Sequence, residues 1–299
     1  MCAPLIAALR DAGHVLGVAL SDRNADVFAP QTFATRHILT RIPWPRHGST
    51  PETSERARAE IAAAHYDAAL VASEEPEAYE LARPATRRIG FGTGWSKPLK
   101  SWWVSRRLTT TLHRFATAHG ERAHEAEIMF RLGAGLHAER APTRDAARLR
   151  PLILEHAVPE RRHVVLQLGV KWQAMGVDPV SLRAIVAMLA ERGAQLLVSP
   201  AERAAAEAVA GPHAYVACET VAAWKRCVDL ARAVVTPDTG TAHLAGMLGI
   251  PVIECFPDAG AAAQIARWHP WAAPYVALRA RELRGGDGVR RIEGAVDAY

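Results

Sequence analysis

Residues 234–256 read VVTPDTGTAHLAGMLGIPVIECF. The apolar run Ala233-Val234-Val235 stops at a turn, Pro237-Asp238-Thr239-Gly240. A helix-like segment from Ala242 to Leu248 follows, ends at Gly249, and gives way to a second β-rich run before Pro257. A strand that hands over to a helix in this way is a β/α unit of a parallel sheet. Its turn falls at the carboxyl end of the strand, which is where doubly wound sheets hold their ligands.

The same rhythm extends upstream. His163 to Leu168 predicts a strand, Val180 to Ala190 a helix closed by Gly193, and Gln195 to Val198 a strand. Ala201 to Ala210 predicts a helix stopped by Gly211-Pro212, Ala214 to Ala217 a strand, and Thr220 to Ala231 a helix. Strands alternating with helices of this length argue a parallel sheet covered on both faces. The first half alternates less regularly. It predicts helices at Leu5–Ala12 and Glu52–His65, and strands at Val15–Leu20, near His37–Ile42 and at Ala68–Val71, with a short one at Ile89-Gly90-Phe91. Gly285 to Gly288 reads as a flexible turn before a last helix, Val289 to Tyr299. Two prolines, Pro151 and Pro159, bracket a short apolar piece and place the boundary between domains 1–158 and 159–299. The expected architecture is α/β, with two doubly wound Rossmann-like domains and a cleft between them.

Composition fits that picture. The chain has 299 residues, 49% hydrophobic and 22% charged, which is ordinary for a globular protein of about two domains. Four scattered cysteines without a C-x-x-C pair disfavour a zinc site and predict reduced thiols. No apolar run approaches the roughly 18 residues of a membrane span, and Met1-Cys2-Ala3-Pro4 is not the start of a secretory signal. A cytoplasmic location follows as the expectation. Lys and Arg exceed Asp and Glu by 36 to 31, a mild bias towards anionic partners rather than the clustered charge of a nucleic-acid binder.

At the turn itself, Asp238 is expected as the helix N-cap, and Gly240 lets a ligand approach the first backbone amides closely. Those amides lack intrahelical partners and sit at the positive end of the dipole, so they suit a phosphate. Thr239 and Thr241 add hydroxyls, and His243 lies within the first turn or so. By itself the stretch reads equally well as an ordinary helix start with a half-buried histidine.

The longer string D-T-G-x-x-H-x-A-x-x-L-G-x-P, here Asp238-Thr239-Gly240, His243, Ala245, Leu248-Gly249 and Pro251, resembles the donor-site motif of glycosyltransferase family 9, the bacterial heptosyltransferases. Ile89-Gly90-Phe91, Arg267-Trp268-His269-Pro270-Trp271 and Pro4 to Gly13 resemble further landmarks of that family in the same order. The likeness is strong from about Ala233 to Trp271 and weak elsewhere.

The resemblance implies a GT-B fold and metal-independent, inverting transfer of heptose from ADP-heptose to the lipopolysaccharide core. No cofactor is implied, the nucleotide-sugar being substrate. It further implies that Asp238, Thr239, Gly240 and His243 contact the donor. Lys171, ahead of Trp172 and just past Gly169, would meet the phosphates. Glu202 would hold the ribose, and the adenine would lie near the backbone of Cys218 to Thr220. A departing diphosphate gathers negative charge that such cations and amide dipoles stabilise. Without the family match, Lys171 reads as a surface lysine and Glu202 as a first-turn carboxylate favoured by the dipole.

Three departures from the family stand out. Members open with a strand and a Gly-Asp loop whose aspartate serves as general base, whereas these residues open at the first helix, so no residue here inherits that role. The expectation is a native start upstream of Met1, or else a reorganised first domain. The loop Gly169-Val170-Lys171-Trp172 is short, and Phe256-Pro257 stands where the family has Phe-Gly.

Finally, Gly94 to Arg107 sets three tryptophans among four cations, a composition for anionic lipid headgroups or phosphorylated sugars, or else for a core with a solvated basic face. It predicts a phosphorylated glycolipid or glycan acceptor and peripheral contact at the inner membrane through Trp95 to Arg107. The expected activity is thus glycosyl transfer to a cell-envelope acceptor. The alternative is a non-catalytic nucleotide-sugar-binding or scaffold protein of the same fold.

Overall fold

The computed structural model describes residues 1–21, 24–39, 51–92 and 97–299. They form two compact units, Met1–Pro142 and Thr143–Tyr299.

The first unit runs α1 (Ala3–Asp11), β1 (Gly17–Ser21), β2 (Thr35–Leu39), α2 (Pro51–Ala63), β3 (Ala68–Val71), α3 (Pro76–Leu81), β4 (Arg87–Gly92), α4 (Pro98–Ser105), β5 (Thr110–His113) and α5 (Glu125–Phe130). Its strands make a parallel pair, β1-β2, and a parallel three-stranded sheet ordered β3-β4-β5. The strand expected near 37–42 begins earlier, at Thr35, and residues 40–42 lie outside the described residues, as do Gly94, Trp95 and Ser96. Leu5 and Leu9 of α1 pack with Ile89 and Phe91 of β4 and with Ile128 and Met129 of α5. The fully buried Tyr79 donates its hydroxyl to the Phe91 carbonyl at 2.9 Å and so ties α3 to β4.

The second unit runs α6 (Ala146–Leu149), β6 (His163–Gln167), α7 (Lys171–Ala174), α8 (Pro179–Glu191), β7 (Gln195–Val198), α9 (Arg203–Ala210), β8 (Tyr215–Ala217), α10 (Val221–Asp229), β9 (Ala231–Pro237), α11 (Gly240–Met247), β10 (Val252–Phe256), α12 (Ala261–Trp268), β11 (Tyr275–Arg279) and α13 (Gly285–Asp297). Its six strands are all parallel, in the order β11-β10-β9-β6-β7-β8. The central strands β6, β9 and β10 are apolar almost throughout because both of their faces are covered.

Local chemistry explains the helices. The Asp178 carboxylate caps α8 by accepting from the Val180 and Ser181 amides at 3.0 and 2.9 Å, Pro179 opens it, and Gly193 at φ 78° ends it. Its stripe Leu182, Ile185, Val186 and Leu189 enters the core beneath β6 and β7.

The expected flexible turn at Gly285–Gly288 is instead the first turn of α13. The Gly285 amide donates to Ser181 Oγ at 2.9 Å, and a Cβ on Gly288 would lie 2.2 Å from the Leu283 carbonyl. These glycines allow close packing, so the helix starts four residues earlier than its sequence suggests. Residues 143–158 cluster with this unit. Arg150 forms a buried ion pair with Asp229 at the end of α10 (Nη2 to Oδ2, 2.6 Å), and His156 joins it at 3.0 Å.

Candidate functional site

The carboxyl ends of β6, β7 and β9 bring most of the sequence-predicted residues together within the second unit. Beyond β6 the chain passes through Gly169, whose φ of 157° disfavours side chains. A Cβ there would stand 2.7 Å from the Glu202 carboxylate. Glu202 follows β7 and reaches back across this loop. Its Oε1 accepts from the Val170 amide at 3.3 Å, and its Oε2 accepts from Ser199 Oγ at 3.0 Å. Lys171 opens α7 with its side chain exposed, while its neighbour Trp172 is fully buried and donates its indole N–H to the Gln167 carbonyl at 2.7 Å. The tryptophan therefore anchors the short helix and leaves the lysine on the solvent side.

Beyond β9 the turn differs from expectation in one respect. The N-cap of α11 is Thr239, not Asp238: Thr239 Oγ1 accepts from the Thr241 amide at 3.3 Å. The cap moves one residue on because Thr239 is fixed from behind. Its hydroxyl donates to Gln167 Oε1 at 2.6 Å, and Thr236 donates to the same oxygen at 2.6 Å. Asp238 is thereby released from capping. It is partly buried, with its amide donating to the Cys255 carbonyl at 3.0 Å. Burial raises its pKa above the ordinary carboxylate value, and the positive charge of Lys171 works against that rise. The Lys171 and Asp238 charges thus feel one another across the strand ends.

Gly240 is exposed, and a Cβ placed on it would meet nothing within 4 Å, so the space above the first amides of α11 is open. His243 Nε2 lies 3.9 Å from Asp238 Oδ1, its ring lies 5.9 Å from that of Trp268, and its Nδ1 is buried. Burial drives its pKa down to about 3, so the imidazole is neutral at physiological pH and acts as a dipole rather than a charge. Thr241 behaves differently from its neighbours. It is buried, and its hydroxyl accepts from the Trp224 indole at 3.0 Å, which makes it a tie between α10 and α11.

Near Glu202, Arg203 pairs with Glu219, and the Cys218 amide donates to the Val198 carbonyl at 3.0 Å. The backbone of Cys218 to Thr220 thus follows on from the Glu202 loop. Thr220 caps α10 through the Ala223 amide at 3.1 Å.

Two residues escaped the sequence reading. Gln167 and Glu254 are polar side chains inside otherwise apolar strands, and that break in the pattern is the signal that marks them. Glu254 is register partner to Thr236 and so shares its sheet face. The Gln167–Thr236 hydrogen bond places Gln167 on that face too, which lies beneath the turn. Glu254 is fully buried, and neither carboxylate oxygen has a hydrogen-bond partner among the described residues. Burial first, and then the like charge of Asp238, push its pKa up to about 9, so it is a neutral acid at pH 7.

The Arg267–Trp271 stretch supports the same helix. Trp271 donates its indole N–H to the Thr143 carbonyl at 2.6 Å, and a Cβ on Gly246 would come within 2.9 Å of Pro270.

No protein-family model matches the chain, and no curated protein matches it by sequence. Solved structures do resemble it. E. coli heptosyltransferase WaaC with ADP superposes at a TM-score of 0.71 and 17% identity, over 99% of this chain and 95% of that one. The glycosyl transferase family 9 protein from Veillonella parvula superposes at 0.69 and 13% identity, over 99% and 92%. E. coli ADP-heptose lps heptosyltransferase II superposes at 0.63 and 14% identity, over 99% and 94%. The fold is therefore GT-B, the fold class of glycosyltransferases. In outline it is similar to the heptosyltransferases and to the glycosyltransferase family 9 structure just named. At these identities it is the fold that is shared.

Proposed function

We propose that the chain is a glycosyltransferase that takes a sugar, heptose favoured, from an ADP-linked donor. It passes that sugar with inversion, and without a metal, to the lipopolysaccharide core or another cell-envelope glycan. One observation carries the reading: Gly169, Lys171, Glu202, Asp238, Thr239 and Gly240 converge at the carboxyl ends of three parallel strands, beside an open helix N-terminus. In this proposal the amides of α11 and the Lys171 ammonium receive the diphosphate as its negative charge grows. Glu202 accepts from the ribose hydroxyls, and the neutral His243 lends a dipole without adding charge. Asp238, left out of capping, orients the donor against Lys171. The acceptor hydroxyl must lose its proton during attack, and none of these residues is assigned that task.

Calorimetric titration of ADP-heptose tests the site. Asp238→Ala and Lys171→Ala are each expected to weaken donor binding about tenfold or more. Unchanged affinity in both would remove the assignment. ADP release with and without a core-oligosaccharide acceptor tests the reaction, and donor binding without any release favours the scaffold alternative.

A further inference from the structure

The first unit carries a recess of about 350 Å³ that, among the described residues, is lined by four arginines: Arg83, Arg88, Arg106 and Arg107. Four like charges repel one another, so such a cluster persists only where the fold holds each one in place. Here it does. Arg88 donates Nε to the Arg107 carbonyl at 2.7 Å and Nη1 to the Ala85 carbonyl at 2.8 Å. Arg107 pairs with Glu80, donates to the Trp103 carbonyl at 3.2 Å and lies 3.4 Å from the centre of the Trp103 ring. Arg83 shares Glu80 at 3.2 Å, and Arg106 rests on Trp102 at 4.3 Å. Burial alone would raise the Glu80 pKa, but the hydrogen bonds and positive charges of Arg107 and Arg83 hold it below its ordinary value, so Glu80 carries its negative charge beside them.

The position of the recess matters as much as its charge. Arg83 follows α3, Arg88 is the second residue of β4, and Arg107 precedes β5, so all three sit where the parallel strands begin. Ligands of doubly wound sheets sit at the opposite, carboxyl ends. The recess thus lies at the end of the first unit's sheet away from those carboxyl ends.

We infer that this recess is a binding site for a phosphate group, carried either on a soluble phosphate ester or on a lipid headgroup. Guanidinium forks match the paired oxygens of a phosphate, and side chains already fixed by carbonyls and indole rings lose little freedom when it arrives. The inference is independent of the glycosyltransferase reading. A lipid source has a further feature in its favour: on α4, beside Arg106, Leu99 and Trp102 are 84% and 56% exposed and three residues apart on one flank.

The test uses the whole chain and two probes, glycerol phosphate in calorimetry and phosphatidylglycerol–phosphatidylcholine vesicles in co-sedimentation. The site variant is Arg83→Gln with Arg106→Gln. A control, Arg162→Gln with Arg290→Gln, removes equal charge from exposed positions in the second unit. The wild type is expected to bind at least one probe, the site variant about tenfold more weakly, and the control within about twofold of wild type. Binding of glycerol phosphate alone assigns a soluble ester, and vesicle binding that requires phosphatidylglycerol assigns a headgroup. If the double variant fails to fold, Arg106→Gln alone, an exposed side chain resting on Trp102, is expected to lose several-fold. The inference is overturned if the wild type binds neither probe, or if the control loses as much as the site variant.

Discussion

Replacing Glu254 by Gln removes one proton equilibrium while keeping shape and polarity, because a carboxamide matches a protonated carboxyl in size. In the unfolded chain Glu254 titrates near 4.5, and in the folded chain near 9. Below pH 4.5 both states hold the proton and the side chain is neutral in each. As pH rises, the unfolded chain releases the proton and the folded chain keeps it, so stability falls steadily and is lost in full by about pH 9. Between 4.5 and 7 the loss accumulates at about 1.4 kcal/mol per pH unit, or about 3 kcal/mol at pH 7. Gln carries no such proton. Glu254→Gln is therefore expected to match wild type at pH 4 and to exceed it by about 3 kcal/mol at pH 7, on the order of 10 °C in Tm. Equilibrium urea unfolding at the two pH values measures it. Parallel stability profiles for the two proteins from pH 4 to 8 would refute a buried neutral acid at this position.

Two further substitutions probe the frame around the turn. Gly169→Ala places a methyl group where the Glu202 carboxylate now sits, at a φ that disfavours side chains. It is expected to cost about 1–3 kcal/mol of stability in urea unfolding, and to weaken ADP binding in calorimetry as Glu202 is displaced. Asp229→Asn leaves the buried Arg150 guanidinium without its counter-charge, for an expected loss of about 3–5 kcal/mol, read as a lower urea midpoint. An unchanged midpoint would mean that Arg150 finds another partner.

The second unit was legible in the sequence because its strands are uninterrupted apolar runs and its helices carry their own stops, such as Gly193 and Gly211-Pro212. The first unit was less so. Helices α3 and α5 are six residues each, too short for periodicity to show, and α3 is held by the buried Tyr79 rather than by an apolar stripe. At the turn, residue types and spacing identified the positions that converge, but the cap was misassigned. Asp and Thr are both good N-caps, and what decides between them is Gln167, which lies 72 residues away. Thr241 reads as a ligand hydroxyl from its place after the turn. Its bond to Trp224 depends on the packing of α10, which no local pattern reveals. A single carboxylate in a strand is compatible with an edge position until the sheet order sets β10 between β9 and β11.

The tie between Gln167 and the two threonines has a consequence for how the turn meets a ligand. The shape of the Asp238–Gly240 loop is tied to the side chain of Gln167 on another strand, whose backbone carbonyl accepts from the Trp172 indole. The amides are therefore aimed before anything binds, and a phosphate arriving there forfeits little conformational entropy. Lys171, exposed at the start of α7, stands outside that scaffold.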